Sequence, residues 1–303
     1  MPAIKESEKI WMNGKFVPWK EAKVHVLTHT LHYGGGVFEG IRCYQTPKGT
    51  AVFRLKEHVD RLFNSAEAIK MKIPYSKEEV FKAIVETVKV NKLKSGYIRP
   101  ICYFGYGQVG LDTSKCEVDV AVICWPWGAY FSEEMLKNGI RSMISKTTKR
   151  YHGPLNKAKI NGNYYHSSIA KLEAQENGYD EAIMMDDRNL VSEGTGENLF
   201  IIKDNVLITP REGSILLGIT RDSIMTLAKE MEMKVVEKDV TKEDLVNADE
   251  AFLTGTAAEV TPINSVDGKK LKRIDVSLKL QKAYFDIVNG RNKKYEKWLT
   301  RVK

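Results

Sequence analysis

A chain of 303 residues, 43% of them hydrophobic, carries enough apolar material for two domains. No apolar run approaches the roughly 20 residues that a membrane-spanning helix requires, and no charged-then-apolar leader is read at the start. The formal charge of +8 arises from 47 Lys and Arg interspersed with 39 acids, and the densest basic run, Arg291 to Lys297, reads as a solvated helix, which argues against nucleic acid and leaves small anions as fitting ligands.

Cys43, Cys102, Cys116 and Cys124 lie far apart, and the six histidines show no ligand spacing. Neither a disulfide framework nor a metal site is therefore expected. His25, His29 and His32 share one loop and read as turn and packing residues. A cytoplasmic protein with reduced thiols and no membrane partner is the expectation.

In chain order, Asn13-Gly14 between Glu8 to Met12 and Lys15 to Trp19 marks a hairpin. Gly34-Gly35-Gly36 lacks a following Gly-Lys-Ser/Thr and reads as a tightly packed or flexible entry to a strand over Val37 to Tyr44. Ala51 to Leu55 is a further strand. Lys56 to Lys70 and Ser76 to Lys92 read as helices, the second opened by the capping box Ser76-x-x-Glu79. Tyr97 to Phe104 and Val118 to Trp125 are strands flanking the Gly105-Tyr106-Gly107 loop, giving an α+β first domain.

Residues 126–134, with Pro126, Gly128 and three aromatics, read as a linker between a domain over 1–125 and a second over 135–303. In the second, Lys159 precedes a small-residue turn, a helix from Asn163 to Asn177 ended by Gly178, and a hairpin closing on Glu193. Helices follow at Arg221 to Met231, after Thr241, and at Val276 to Val288.

A lysine amine acts as a nucleophile near neutral pH only when desolvation or neighbouring cations depress its pKa. Lys146, Lys149, Arg150 and Lys157 crowd the segment before Lys159. Gly218-Ile219-Thr220 precedes a helix and suits a phosphate, although Thr220 could equally be an N-cap. Gly255-Thr256-Ala257 is a second small-residue turn.

The run Lys159-x-x-Gly162-Asn163-Tyr164, then Glu173-Ala174, Gly178-Tyr179-Asp180-Glu181-Ala182 and Ser192-Glu193-Gly194-x-Gly196-Glu197-Asn198-Leu199-Phe200, resembles the signature of class IV pyridoxal-phosphate aminotransferases. Val37-Phe38-Glu39-Gly40-Ile41-Arg42, Tyr97-Ile98-Arg99-Pro100, Pro126-Trp127-Gly128-Ala129-Tyr130, Gly218-Ile219-Thr220-Arg221 and Ala248-Asp249-Glu250 through Glu259 resemble the branched-chain amino acid aminotransferases of that class. The resemblance spans roughly residues 10 to 290.

It implies a mixed α/β and α+β two-domain enzyme of fold type IV, like D-amino-acid aminotransferase, with pyridoxal 5'-phosphate (PLP), cycling with pyridoxamine phosphate, in the interdomain cleft. Lys159 would form the aldimine, Glu193 would pair with the pyridine nitrogen and Tyr164 with the ring oxygen. Arg61, Gly218, Ile219, Thr220, Gly255 and Thr256 would hold the phosphate. Tyr33, Phe38, Gly40, Tyr97, Trp127 and Tyr130 would form the substrate wall, with Arg99 meeting the distal carboxylate and Thr256 and Ala257 the α-carboxylate.

The implied reaction is ping-pong transamination of L-leucine, L-isoleucine or L-valine with 2-oxoglutarate. A homo-oligomer is implied, a dimer at least and up to a hexamer, because Tyr33 approaches from the partner subunit in relatives. The alternatives of the same fold are a D-amino-acid aminotransferase and an aminodeoxychorismate lyase; a silent binding protein is a third. Related chains often carry a small residue where Asn161 stands, which bears on the turn after Lys159.

Overall fold

The computed structural model describes residues 4–303, and the chain divides into two units that differ from a single cut at 126–134. The first holds residues up to 128, 158–163 and 287–303; the second holds 129–157 and 164–286. One crossing lies inside the expected linker. However, Ser132 caps a helix there, α4 (Glu133–Asn138), so the linker ends earlier than expected.

In the first unit the strands are β1 (Lys9–Met12), β2 (Lys15–Pro18), β3 (Gly36–Phe38), β4 (Ile41–Thr46), β5 (Gly49–Phe53), β6 (Gly96–Phe104) and β7 (Val118–Trp125). The helices are α1 (His29–Tyr33), α2 (Leu55–Ala68) and α3 (Lys77–Val90). The sheet runs β5-β4-β6-β7-β1-β2 with β3 beside β6, and the last strand of the chain, Leu299–Arg301, pairs with β5. The Asn13-Gly14 hairpin and the Ser76 capping box form as the residue types dictate. Helices α2 and α3 bury Leu62 and Ile84 against the sheet, each worth about 1.5–3 kcal/mol.

The expected strand over Val37 to Tyr44 is broken at Glu39-Gly40, where a fully buried glutamate interrupts the ladder. The preceding glycines are packed, not loose. A Cβ on Gly34 would lie 2.9 Å from the Gly162 Cα, and one on Gly36 would lie 2.9 Å from the Asn161 Nδ2. Gly162 N–H donates to Gly34 O at 3.2 Å, Phe38 N–H donates to Lys159 O at 3.1 Å, and Val37 bridges Ile160. Residues 158–163 therefore lie along β3 and belong to the first unit, a non-local pairing that no local pattern announces.

In the second unit the strands are β8 (Ile140–Arg150), β9 (Glu181–Asp186), β10 (Val191–Gly194), β11 (Asn198–Lys203), β12 (Val206–Pro210), β13 (Lys234–Lys238), β14 (Glu250–Gly255), β15 (Glu259–Val266) and β16 (Lys269–Lys270). They are joined by α5 (Tyr164–Glu176), α6 (Ile219–Glu230), α7 (Lys242–Val246) and α8 (Asp275–Val288). The order is β10-β9-β8-β15-β14-β11-β12-β13, and an extra β10–β11 pairing closes part of the sheet into a ring. Its core includes Ile183, Leu199, Ile201, Leu253 and Ile263. No helix among the described residues is long and apolar enough to cross a membrane.

Candidate active site

In the first unit, the main chain of Lys159 is held by Phe38 and by Ser65 Oγ, which accepts the Lys159 N–H at 3.0 Å. Its Nζ lies 4.8 Å from the Phe38 ring centroid. The residue as a whole keeps partial exposure, but its amine end is enclosed. Burial, then the guanidinium of Arg61, and also that of Arg99, bring the amine down to about 8, against the opposing pull of Glu39 and Tyr97.

The cations are not the sequence neighbours expected to do this. Arg150, Lys149 and Lys157 are engaged by Glu193, Asn189 and Glu212. Arg61 and Arg99 come instead from α2 and β6, far away in sequence.

Tyr97 and Arg99 share one face of β6, as period two requires, and Arg99 Nη2 donates to Tyr97 Oη at 3.2 Å. The Arg99 guanidinium lies 4.6 Å from the Phe38 ring centroid, and its Nε is buried without a hydrogen-bond partner. A Cβ on Gly40 would meet Tyr97 Oη at 2.0 Å, so only glycine leaves this hydroxyl in place. Trp127 stands edge-on to Tyr97 at 4.6 Å, and Arg42 donates to the carbonyl oxygens of Trp127 and Gly128. Phe38, Gly40, Tyr97, Arg99 and Trp127 thus surround one corner with Lys159. Tyr33 stands on α1, 44% exposed, with its ring beside His29.

Arg61 is not an exposed helix arginine. Its Nε and Nη2 donate to Glu39 at 2.6 and 2.9 Å, and His58, one helical turn earlier, bonds the same carboxylate at 2.7 Å. Glu39 and His58 stand in the sequence motifs around Gly40 and Arg61 but were given no role there. The i, i+3 spacing of His58 and Arg61 puts them on one helix face and was the available signal.

In the second unit, Glu193 is buried and fully engaged. Its Oε1 lies 2.8 Å from Arg150 Nη2, while Oε2 accepts from Asn198 Nδ2 at 3.1 Å and from Leu216 N–H at 3.0 Å. These partners, unforeseen in the sequence, fix the carboxylate in a cleft also lined by Tyr164 and Gly196. Asn198 further donates to Leu216 O, and a Cβ on Gly218 would lie 2.0 Å from Asn198 Oδ1. Glycine is required there by close approach.

Helix α6 starts at Ile219 with Gly218 as its N-cap, two residues before the expected Arg221. Thr220 is therefore buried within the first turn and is not the cap. Gly218 supplies no side-chain cap, which suits this helix start to an anion. Gly255 ends β14 against Gly196, and Thr256 and Ala257 form the following turn. Tyr130 packs beside Phe131 and under the Lys171 ammonium. Nearby, burial and the charge of Glu181 push Glu197 up to about 8, while Lys171 takes Glu181 at 2.7 Å.

The residues fit PLP on these observations. An enclosed amine of lowered basicity, an ordered carboxylate and a helix start without a side-chain cap are donor and acceptor types it requires. Among the described residues no His, Cys, Asp and Glu cluster could hold a metal.

The amino-transferase class IV family matches residues 36–266. A branched-chain-amino-acid aminotransferase of Pseudomonas aeruginosa is 50% identical over 97% of this chain and 97% of its own. The crystal structure of the T.th. branched-chain amino acid aminotransferase with pyridoxamine 5'-phosphate superposes with a TM-score of 0.95 at 44% identity, covering 98% of this chain and 99% of that one. The same enzyme complexed with N-(5'-phosphopyridoxyl)-L-glutamate gives a TM-score of 0.94 at 43% identity, with the same coverage.

Proposed function

This chain belongs to the class IV amino-transferases, and we propose that it moves the amino group of L-leucine, L-isoleucine or L-valine to 2-oxoglutarate, leaving a branched 2-oxo acid and L-glutamate. The observation that carries the reading is the Lys159 amine, enclosed beside Phe38 and brought down to about 8 by burial and by Arg61. PLP, cycling with pyridoxamine phosphate, supplies the electron sink and the amino carrier when bound.

Lys159 would hold the cofactor through its Nζ, and the same amine is the group placed to take and return the proton at the substrate α-carbon. Glu193, paired with Arg150 at 2.8 Å, would face the pyridine nitrogen and favour its protonated form. Tyr164, which lines the same cleft as Glu193, would hydrogen-bond the ring oxygen. Arg61, the start of α6 at Ile219 and Thr220, and the Gly255-Thr256 turn would hold the phosphate.

Phe38, Gly40, Tyr97, Trp127 and Tyr130 exclude water from a branched side chain. Arg99, with a buried Nε that lacks a partner, takes the distal carboxylate of glutamate. Thr256 and Ala257 hold the α-carboxylate. Tyr33 serves the site of a second copy, supported by its exposure together with Val26, Leu31, Val109 and Leu111. The working form is thus a homodimer or a larger assembly, residing in the cytoplasm.

The test is the visible spectrum of the PLP-loaded protein before and after L-leucine without an acceptor. Conversion of the pyridoxal band to the pyridoxamine band, reversed by 2-oxoglutarate, is expected. A pyridoxal band that L-leucine leaves unmoved and D-alanine converts would transfer the assignment to D-amino acids.

A further inference from the structure

We propose that Glu39, supported by His58, is a positioning residue that fixes the Arg61 guanidinium and balances the charge facing Lys159. The inference deepens the reading above, in which Arg61 takes the cofactor phosphate and Lys159 its carbonyl carbon.

Glu39 is fully buried at the break between β3 and β4, with its N–H donating to Pro100 O at 2.9 Å. Its two oxygens take Nε and Nη2 of Arg61 at 2.6 and 2.9 Å, a two-point grip that leaves the guanidinium no rotational freedom. The Gly40 N–H and His58 Nδ1 bond the second oxygen at 3.2 and 2.7 Å. Burial raises the Glu39 carboxyl, and the charges and hydrogen bonds of Arg61 and His58 reverse this and hold it well below the usual range. Since Glu39 is ionised it has no hydrogen to give, so His58 donates. Burial lowers His58 against the opposing pull of Glu39.

The grip turns one edge of Arg61 toward Glu39 and orients the plane of its remaining nitrogens. A phosphate meeting a pre-oriented fork avoids the cost of ordering it. The groups acting on Lys159 are Arg61, Arg99, Tyr97, Glu39 and, from α2, His58. Glu39 is the carboxylate among them. Without it only Tyr97 would oppose the two guanidinium groups acting on the amine, and the amine would lose its proton at lower pH.

The test compares PLP with pyridoxal, which lacks the phosphate, on the cofactor-free full-length protein. In Glu39→Gln, PLP affinity should fall on the order of ten- to a hundredfold, the loss of one charge-assisted contact. Covalent capture of pyridoxal by Lys159 should persist, its pH midpoint displaced downward. Glu39→Asp keeps the charge but is too short for the two-point grip. It should lose PLP affinity selectively with the midpoint unmoved, and it decides the matter alone if the amide variant does not fold.

Equal weakening toward PLP and pyridoxal in both variants would mark a merely structural role and overturn the proposal. So would an unchanged PLP-to-pyridoxal ratio, or an unmoved midpoint in Glu39→Gln. A wild-type protein that binds pyridoxal as tightly as PLP would instead remove the phosphate role of Arg61, and the proposal with it.

Discussion

Arg150 Nη2 lies 2.8 Å from Glu193 Oε1, and both side chains are buried. The arginine at the end of β8 supplies the counter-charge to the carboxylate of β10, which lines a cleft of the second unit. Glu193→Gln keeps the size and loses the charge. Turnover should fall by about 10²–10³, the usual cost of removing a preorganised electrostatic partner, while cofactor retention changes little. Steady-state kcat beside the cofactor retained after gel filtration measures both. Proportional loss of the two would make Glu193 a binding residue only.

The Lys159 amine, near 8 rather than the ordinary 10.5, gives a signed pH prediction. Covalent capture of a carbonyl by the cofactor-free protein should rise with pH to a midpoint near 8. Because the folded state holds this lysine less basic than the unfolded chain does, the unfolded chain binds more protons between the two values. The Lys159 contribution to stability is therefore unfavourable below the folded value and improves as pH rises toward 10.5. Stopped-flow capture at a series of pH values gives the midpoint; one near 10.5 would place Lys159 in ordinary solvent.

Arg99 is poised on Tyr97 and Phe38 with its Nε buried and lacking a partner. Arg99→Ala should lower kcat/KM for 2-oxoglutarate by about ten- to a hundredfold, the worth of a charge-assisted hydrogen bond, and for L-leucine much less. Separate half-reactions followed by absorbance distinguish the two. Equal losses would remove Arg99 from carboxylate recognition.

Gly40 has a steric reason to be glycine that Gly128 lacks. A Cβ at Gly40 would overlap Tyr97 Oη, whereas one at Gly128 meets nothing within 4 Å. Gly40→Ala must displace Tyr97 from Arg99, at an overpacking cost of about 1–3 kcal/mol, and should raise KM for both amino donors and acceptors. Gly128→Ala should leave both near wild type. Indistinguishable KM values for the two variants would dissociate Gly40 from the substrate corner.

Most helices and hairpins were readable because their signals are local. The capping box at Ser76 and the helix after Thr241 form as expected, as does the Gly178 stop with its positive φ. Boundaries shifted where tertiary contacts intervened. The start of α6 moved to Ile219 because Gly218 is packed on Asn198, and the strand through Glu39 broke because that side chain turns inward to Arg61 and His58.

By itself, the order of residues determined which chemical groups are available and which of them share a local face. Lys159, Glu193 and the Tyr97-Arg99 pair stand in recognisable motifs, and strand and helix periods follow from backbone geometry. Tertiary structure alone decided which groups meet and with what charge. Residues 158–163 joined the first unit by pairing along β3, which set Arg61, Arg99 and Glu39 about the lysine, while Arg150 went to Glu193. These partners come from separate elements, and a buried charge is stable only where the fold brings its counter-charge to it. That condition has no periodicity along the chain.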